Sequence, residues 1–125
     1  MIRRLVAGLA LAFAIPAFAA PPIAGRWLTA DGSAVVAIGP CGAVLCGRVV
    51  KVLKAPADKA DAARQAIGTA VLTSLTPDGD AWKGQLYNPK TGKTYNARVT
   101  RDGGKLNVQG CVAVFCQTIV WTAAS

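Results

Sequence analysis

The stretch Tyr87-Asn-Pro-Lys-Thr-Gly-Lys-Thr-Tyr95 constrains the fold more than any other part of the chain. Ala81-Trp-Lys-Gly-Gln-Leu86 before it and Tyr95-Asn-Ala-Arg-Val99 after it alternate large apolar with polar residues. Alternation of this kind marks half-buried strands, and two such runs joined by Pro and Gly at turn positions form a β-hairpin. Asn88-Pro89 begins the turn, and Gly92 accepts the positive φ that a tight reversal needs.

Similar punctuation recurs at Asp31-Gly32, at Thr76-Pro-Asp-Gly-Asp80 and at Asp102-Gly103-Gly104. Between these turns, Gly25–Thr29, Ser33–Ile38, Leu45–Leu53, Ala70–Leu75, Leu106–Val112 and Phe115–Ala123 read as strands, with Gly39-Pro40 closing the second. Lys54–Ile67 differs. Its alanines, with Asp58 and Asp61 early and Arg64 late, predict one short helix that serves as a connection and carries little core. About eight short strands joined by tight turns predict an all-β fold, a sandwich or an up-and-down barrel. Successive hairpins without long crossovers favour the antiparallel barrel, because closure removes exposed edges.

The N-terminus has the form of a removable export signal. Arg3 and Arg4 precede the apolar run Leu5–Ile15, and Ala17-Phe-Ala19 fits a small-x-small cleavage site. That run is too short to cross a bilayer as a helix, which takes about 20 residues. The expected product is one domain over residues 20–125, periplasmic or secreted, with no transmembrane span. Loss of Arg3 and Arg4 takes the net charge from +8 to +6. The remaining basic residues are scattered, with no stripe for nucleic acid. They describe a solvated cationic surface suited to an anionic envelope component.

Four cysteines form two pairs of equal spacing, Cys41/Cys46 and Cys111/Cys116. In an exported domain an even count implies disulfides, and sequence alone leaves the connectivity open. Cys41–Cys46 and Cys111–Cys116 are the favoured bridges, since each pair can flank a four-residue hairpin loop and face across it. A zinc site would set the cysteines closer together and suits a reducing compartment better.

The chain contains no histidine and no glutamate. That removes the usual general base, the Ser-His-Asp arrangement and the commonest metal ligand. All six acids are aspartates, and each sits in a turn or near the start of the predicted helix, where a structural role accounts for it. Asp78-Gly-Asp80 alone lacks the ligands for calcium. No enzyme activity, metal or cofactor is expected. The aromatic residues set among strand glycines suggest binding instead. The candidate ligand-binding residues are Trp27, Trp82, Tyr87, Tyr95 and Trp121, with Arg98 to recognise an anion.

Gly25-Arg-Trp27, Asp31-Gly32, Cys41-Gly, Leu45-Cys-Gly-Arg48, Trp82-Lys-Gly84, the Tyr87–Tyr95 motif and Gln117-Thr-x-x-Trp121 together resemble the domain-of-unknown-function 2147 family. The resemblance spans about Ile23 to Thr122 and implies an exported bacterial protein with a lipocalin-like β-barrel and no assigned activity. Gly25-x-Trp27 is also similar to the lipocalin signature. One departure stands at the C-terminus: Ala123 follows Thr122, where the family pattern places a basic residue shortly after the final tryptophan. The functional expectation is a non-catalytic barrel for a small apolar or amphipathic ligand. The alternative is an envelope interaction module with a filled barrel and a cationic surface.

Overall fold

The computed structural model describes residues 20–54, 58, 64 and 66–124. Eight strands run in order: β1 (Gly25–Leu28), β2 (Ala34–Cys41), β3 (Val44–Val52), β4 (Ala70–Asp78), β5 (Ala81–Asn88), β6 (Lys93–Asp102), β7 (Lys105–Val112) and β8 (Phe115–Ala123). Each pairs antiparallel with the next, and β8 returns to β1, so the sheet closes into an up-and-down barrel. The predicted export signal, residues 1–19, lies outside the described residues, and so does most of the segment predicted as a helix.

The hairpin read first in the sequence is β5–β6, with Leu86 opposite Tyr95 and Asn88 opposite Lys93. Asn88 organises its turn: the carbonyl accepts the Gly92 N–H at 2.8 Å, and the side-chain oxygen accepts the Lys90 N–H at 2.9 Å. Two strand ends lie further on than the turn residues suggest. β2 continues through Gly39-Pro40 to Cys41, and β4 continues through Thr76-Pro77 to Asp78. Pairing of β1 with β2 stops at Ile38, so Pro40, opposite Leu45 of β3, has no strand on its β1 side among the described residues, and a missing N–H there costs nothing.

Both favoured disulfides are present, across two-residue turns where four-residue loops were expected. Cys111 stands directly opposite Cys116, with Cα atoms 4.1 Å apart and Ala113-Val114 as the turn. Cys46 lies opposite Gly39, so the Cys41–Cys46 bridge runs diagonally, with Cα atoms 5.8 Å apart.

Alternation along the strands sends one face inward. Trp27, Val36, Ile38, Val49, Leu72, Leu75, Val99, Leu106, Val108 and Trp121 form a single buried cluster. Where strands approach most closely, glycine replaces a side chain. A Cβ on Gly47 would lie 3.1 Å from Val36 and 3.3 Å from Leu72, so the body of the barrel is filled. Gly84 faces a bulge in β4 between Thr73 and Thr76, where Ser74 takes φ 56°. A Cβ on Gly84 would run into the Thr73 carbonyl oxygen.

The β1–β2 turn is held by Asp31. Its Oδ1 accepts from the Ser33 hydroxyl at 2.7 Å, the Ser33 amide at 3.0 Å and the Thr29 hydroxyl at 3.0 Å. These bonds, the Ser33 hydroxyl first, lower its pKa from 3.8 to about 2. A carboxyl that is more acidic in the folded state stabilises the fold above its unfolded value and loses that contribution as the pH falls. Asp31→Asn is therefore expected to lower the melting temperature slightly at pH 7, the carboxylate being well exposed. The gap should close as the pH drops from 3.8 through about 2, read by thermal melts of both proteins across that range.

Candidate functional site at the barrel mouth

An up-and-down barrel has two ends, and this one treats them differently. The base carries the β2–β3, β4–β5 and β6–β7 turns, and the mouth carries the β1–β2, β3–β4, β5–β6 and β7–β8 connections. The segment before β1 crosses the base and is tied down there. Trp82 Nε1 donates to the Pro21 carbonyl at 3.0 Å, Arg101 Nη1 to the Pro22 carbonyl at 2.8 Å, and Trp27 Nε1 to the Ile23 carbonyl at 2.9 Å. Ile23 is completely buried, so the base is sealed.

Arg101 completes that seal. Its guanidinium carbon lies 5.2 Å from the centre of the Trp27 ring, within cation–π range, while its Nε donates to the Gly103 carbonyl at 2.8 Å. The chain has no basic residue after Trp121, and the cation over Trp27 comes from β6 instead. Sequence reasoning passed over Arg101. Its place in the alternation with Val99 and Ala97 puts it on the inner face, and that was the available signal.

The mouth is apolar and accessible. On the inner face Val108 is fully buried, yet Ile119 directly opposite is 41% exposed. Beyond it, Val112 is 54% and Phe115 78% exposed, and Ile67 from the β3–β4 side is also exposed. Gly110 lies between these residues and the filled interior. A Cβ there would sit 3.2 Å from Leu86 and 3.6 Å from the Tyr95 Cβ, which places the half-buried Tyr95 and Leu86 beside the opening.

The structure distributes the six candidate residues over three places. Trp27 and Trp121 are core at the base, 2% and 3% exposed, and half-buried Trp82 joins them through Pro21. Tyr87 and Arg98 alternate outward, opposite in sense to Leu86 and Val99. Arg98 pairs with Asp78 at 3.2 Å and Asp80 at 3.8 Å on the outer wall, an exposed network worth about 0–1 kcal/mol. Tyr95 alone reaches the mouth. Two open grooves on the outer wall, one along Ser74, Lys83 and Asn96 and one along Arg26, Val35 and Lys51, include none of the six. Among the described residues, no three potential metal ligands come together.

This architecture is similar to that of a solved structure, "Protein HP1028 from the human pathogen Helicobacter pylori belongs to the lipocalin family", with TM-score 0.63 and 20% identity over 83% of this chain and 84% of that one. At that identity the likeness is one of fold. No curated protein matches the chain. Residues 25–123, from the first residue of β1 to the last of β8, match the family described as "Uncharacterized protein conserved in bacteria (DUF2147)", and the chain belongs to that family.

Proposed function

We propose that the protein is exported and acts without catalysis, holding a small apolar or amphipathic molecule at the mouth of its barrel. The observation that carries this reading is the contrast between the ends: a sealed base, and a mouth where apolar inner-face residues stay in contact with water. An apolar rim built this way offers burial to an apolar group and the Tyr95 hydroxyl to a polar one. Tyr95 is the residue of the candidate set that we assign to ligand contact. Trp27, Trp82 and Trp121 form the floor that positions the barrel. Export is supported by the signal-like N-terminus and by two disulfides, which persist in oxidising compartments.

Native mass spectrometry of protein purified from its own periplasm, without detergent or refolding, tests this. The expected spectrum holds a reproducible adduct that Tyr95→Ala weakens by about tenfold and that Arg98→Ala leaves intact, since loss of one aromatic contact costs about 1–2 kcal/mol. An adduct indifferent to Tyr95 would sink the assignment of the mouth. The second reading, an interaction module for anionic envelope material, rests on the net charge of +8, or +6 after export. An apo spectrum together with salt-sensitive retention on anionic vesicles would favour it.

A further inference from the structure

We infer that the free edge of β8 is a self-association surface, on which a second copy of this chain adds its own β8 antiparallel across a two-fold axis at Thr118. The inference does not depend on a ligand at the mouth. Among the described residues β1 reaches β8 only through Trp27 opposite Ala123 and Leu28 opposite Thr122, and Phe115–Trp121 pairs with β7 alone. Seven residues in extended conformation leave an edge about 20 Å long.

The hydrogen-bond phase of that edge can be read directly. The Ala123 N–H donates to the Gly104 carbonyl at 2.8 Å, toward β7, and the Ala124 N–H donates to the Arg26 carbonyl at 2.9 Å, toward β1. In an antiparallel ladder the direction alternates residue by residue. The N–H and C=O groups of Gln117 and Ile119 therefore face β7, and those of Cys116, Thr118 and Val120 face outward with no strand beside them among the described residues. An antiparallel copy related by a two-fold axis at Thr118 sets Cys116 against Val120, Thr118 against Thr118 and Val120 against Cys116. Each of these pairs exchanges two backbone hydrogen bonds.

Charge and chain chemistry select a second copy as the occupant. The sequence after Lys105 contains no charged residue, although the whole chain carries +8. Two copies repel over most of their surface and meet without repulsion at this hairpin. Phe115, Ile119 and Val120 are 78%, 41% and 41% exposed and would be covered in the pair. Edge strands are ordinarily guarded by lysine, proline or a bulge. The other unpaired edge, Gly39–Cys41 of β2, carries Pro40, whereas Phe115–Trp121 of β8 carries no lysine, no proline and no bulge.

Sedimentation velocity of the disulfide-intact protein, produced from the full chain, tests the pairing between about 1 and about 100 µM, a range that populates a moderate-affinity homodimer. The expected result is a mass that doubles with concentration. Thr118→Pro removes an outward N–H, which the monomer does not use, and Val120→Lys places like charges along the pair. Each is expected to weaken association by about tenfold or more, with melting temperatures within a few degrees of the parent. Hydrogen exchange on the unaltered protein gives a readout free of any folding defect. The amides of Cys116, Thr118 and Val120 should slow as the protein is concentrated, while those of Gln117 and Ile119 stay protected throughout. A protein that remains monomeric overturns the inference, and binding of that monomer to anionic phospholipid vesicles would assign the hairpin to a lipid surface instead. A dimer that both variants retain, or exchange at the three outward amides that ignores concentration, overturns it equally.

Discussion

Trp27→Ala is expected to lose about 3–5 kcal/mol of folding free energy, the range for removing a large aromatic from a packed core. Trp27 is 2% exposed and contacts the barrel interior, the Ile23 carbonyl and the Arg101 guanidinium together. Truncation empties the base, leaves a buried carbonyl without its donor and takes away the ring that Arg101 covers. Domains of this size have about 5–15 kcal/mol in total, so a loss of that size removes a large share of the stability. Urea unfolding followed by far-UV circular dichroism measures the loss. A comparison with phenylalanine isolates the hydrogen bond. Trp27→Phe forfeits the indole donor to Ile23, whereas the buried Trp121 Nε1 makes no hydrogen bond among the described residues. Trp27→Phe should consequently cost more than Trp121→Phe, by about 1–3 kcal/mol for the stranded carbonyl. Equal losses would mean that the bond to Ile23 contributes nothing net.

Gly84→Ala is expected to cost about 1–3 kcal/mol, the usual penalty for forcing atoms into a filled site. Its added methyl would collide with the Thr73 carbonyl oxygen and come within 3.0 Å of Leu75 Cδ2 and the Ser74 carbonyl oxygen. Two of the three obstacles are backbone, so relief requires moving the β4 bulge rather than turning a side chain. Ser74 already holds φ 56° there, which leaves the bulge few alternatives. Gly39→Ala is the control, because a Cβ at Gly39 meets nothing within 4 Å. Chemical denaturation of the two variants beside the parent should show a clear loss for the first and almost none for the second. Similar midpoints would show that β4 can shift at little cost.

Much of the fold was legible from local chemistry. Period-2 alternation and the turns at Asp31-Gly32, Gly79 and Gly103 mark successive hairpins, and these signals act over a few residues, where sequence order is spatial order. The disulfide pairing followed from the same locality, since each bridge spans one hairpin. Boundaries near proline were less legible. Whether Pro40 ends a strand depends on whether a neighbour needs its N–H, and that neighbour, β1, lies elsewhere in the chain.

The candidate site was legible only in part, for a related reason. A sequence identifies aromatic residues as large and partly polar, but Trp27, Tyr95 and Trp121 look alike until the ends of the barrel are distinguished. That distinction comes from contacts far apart in sequence: Pro21 with Trp82, Pro22 with Arg101, and the short β1 that leaves the upper edge of β8 open. By itself the sequence determined an all-β hairpin series without histidine or glutamate, because backbone periodicity and residue chemistry are local properties. Which end is sealed, which aromatic reaches the mouth and which edge stays unpaired were decided by closure, since the stagger at the seam is a property of the whole sheet.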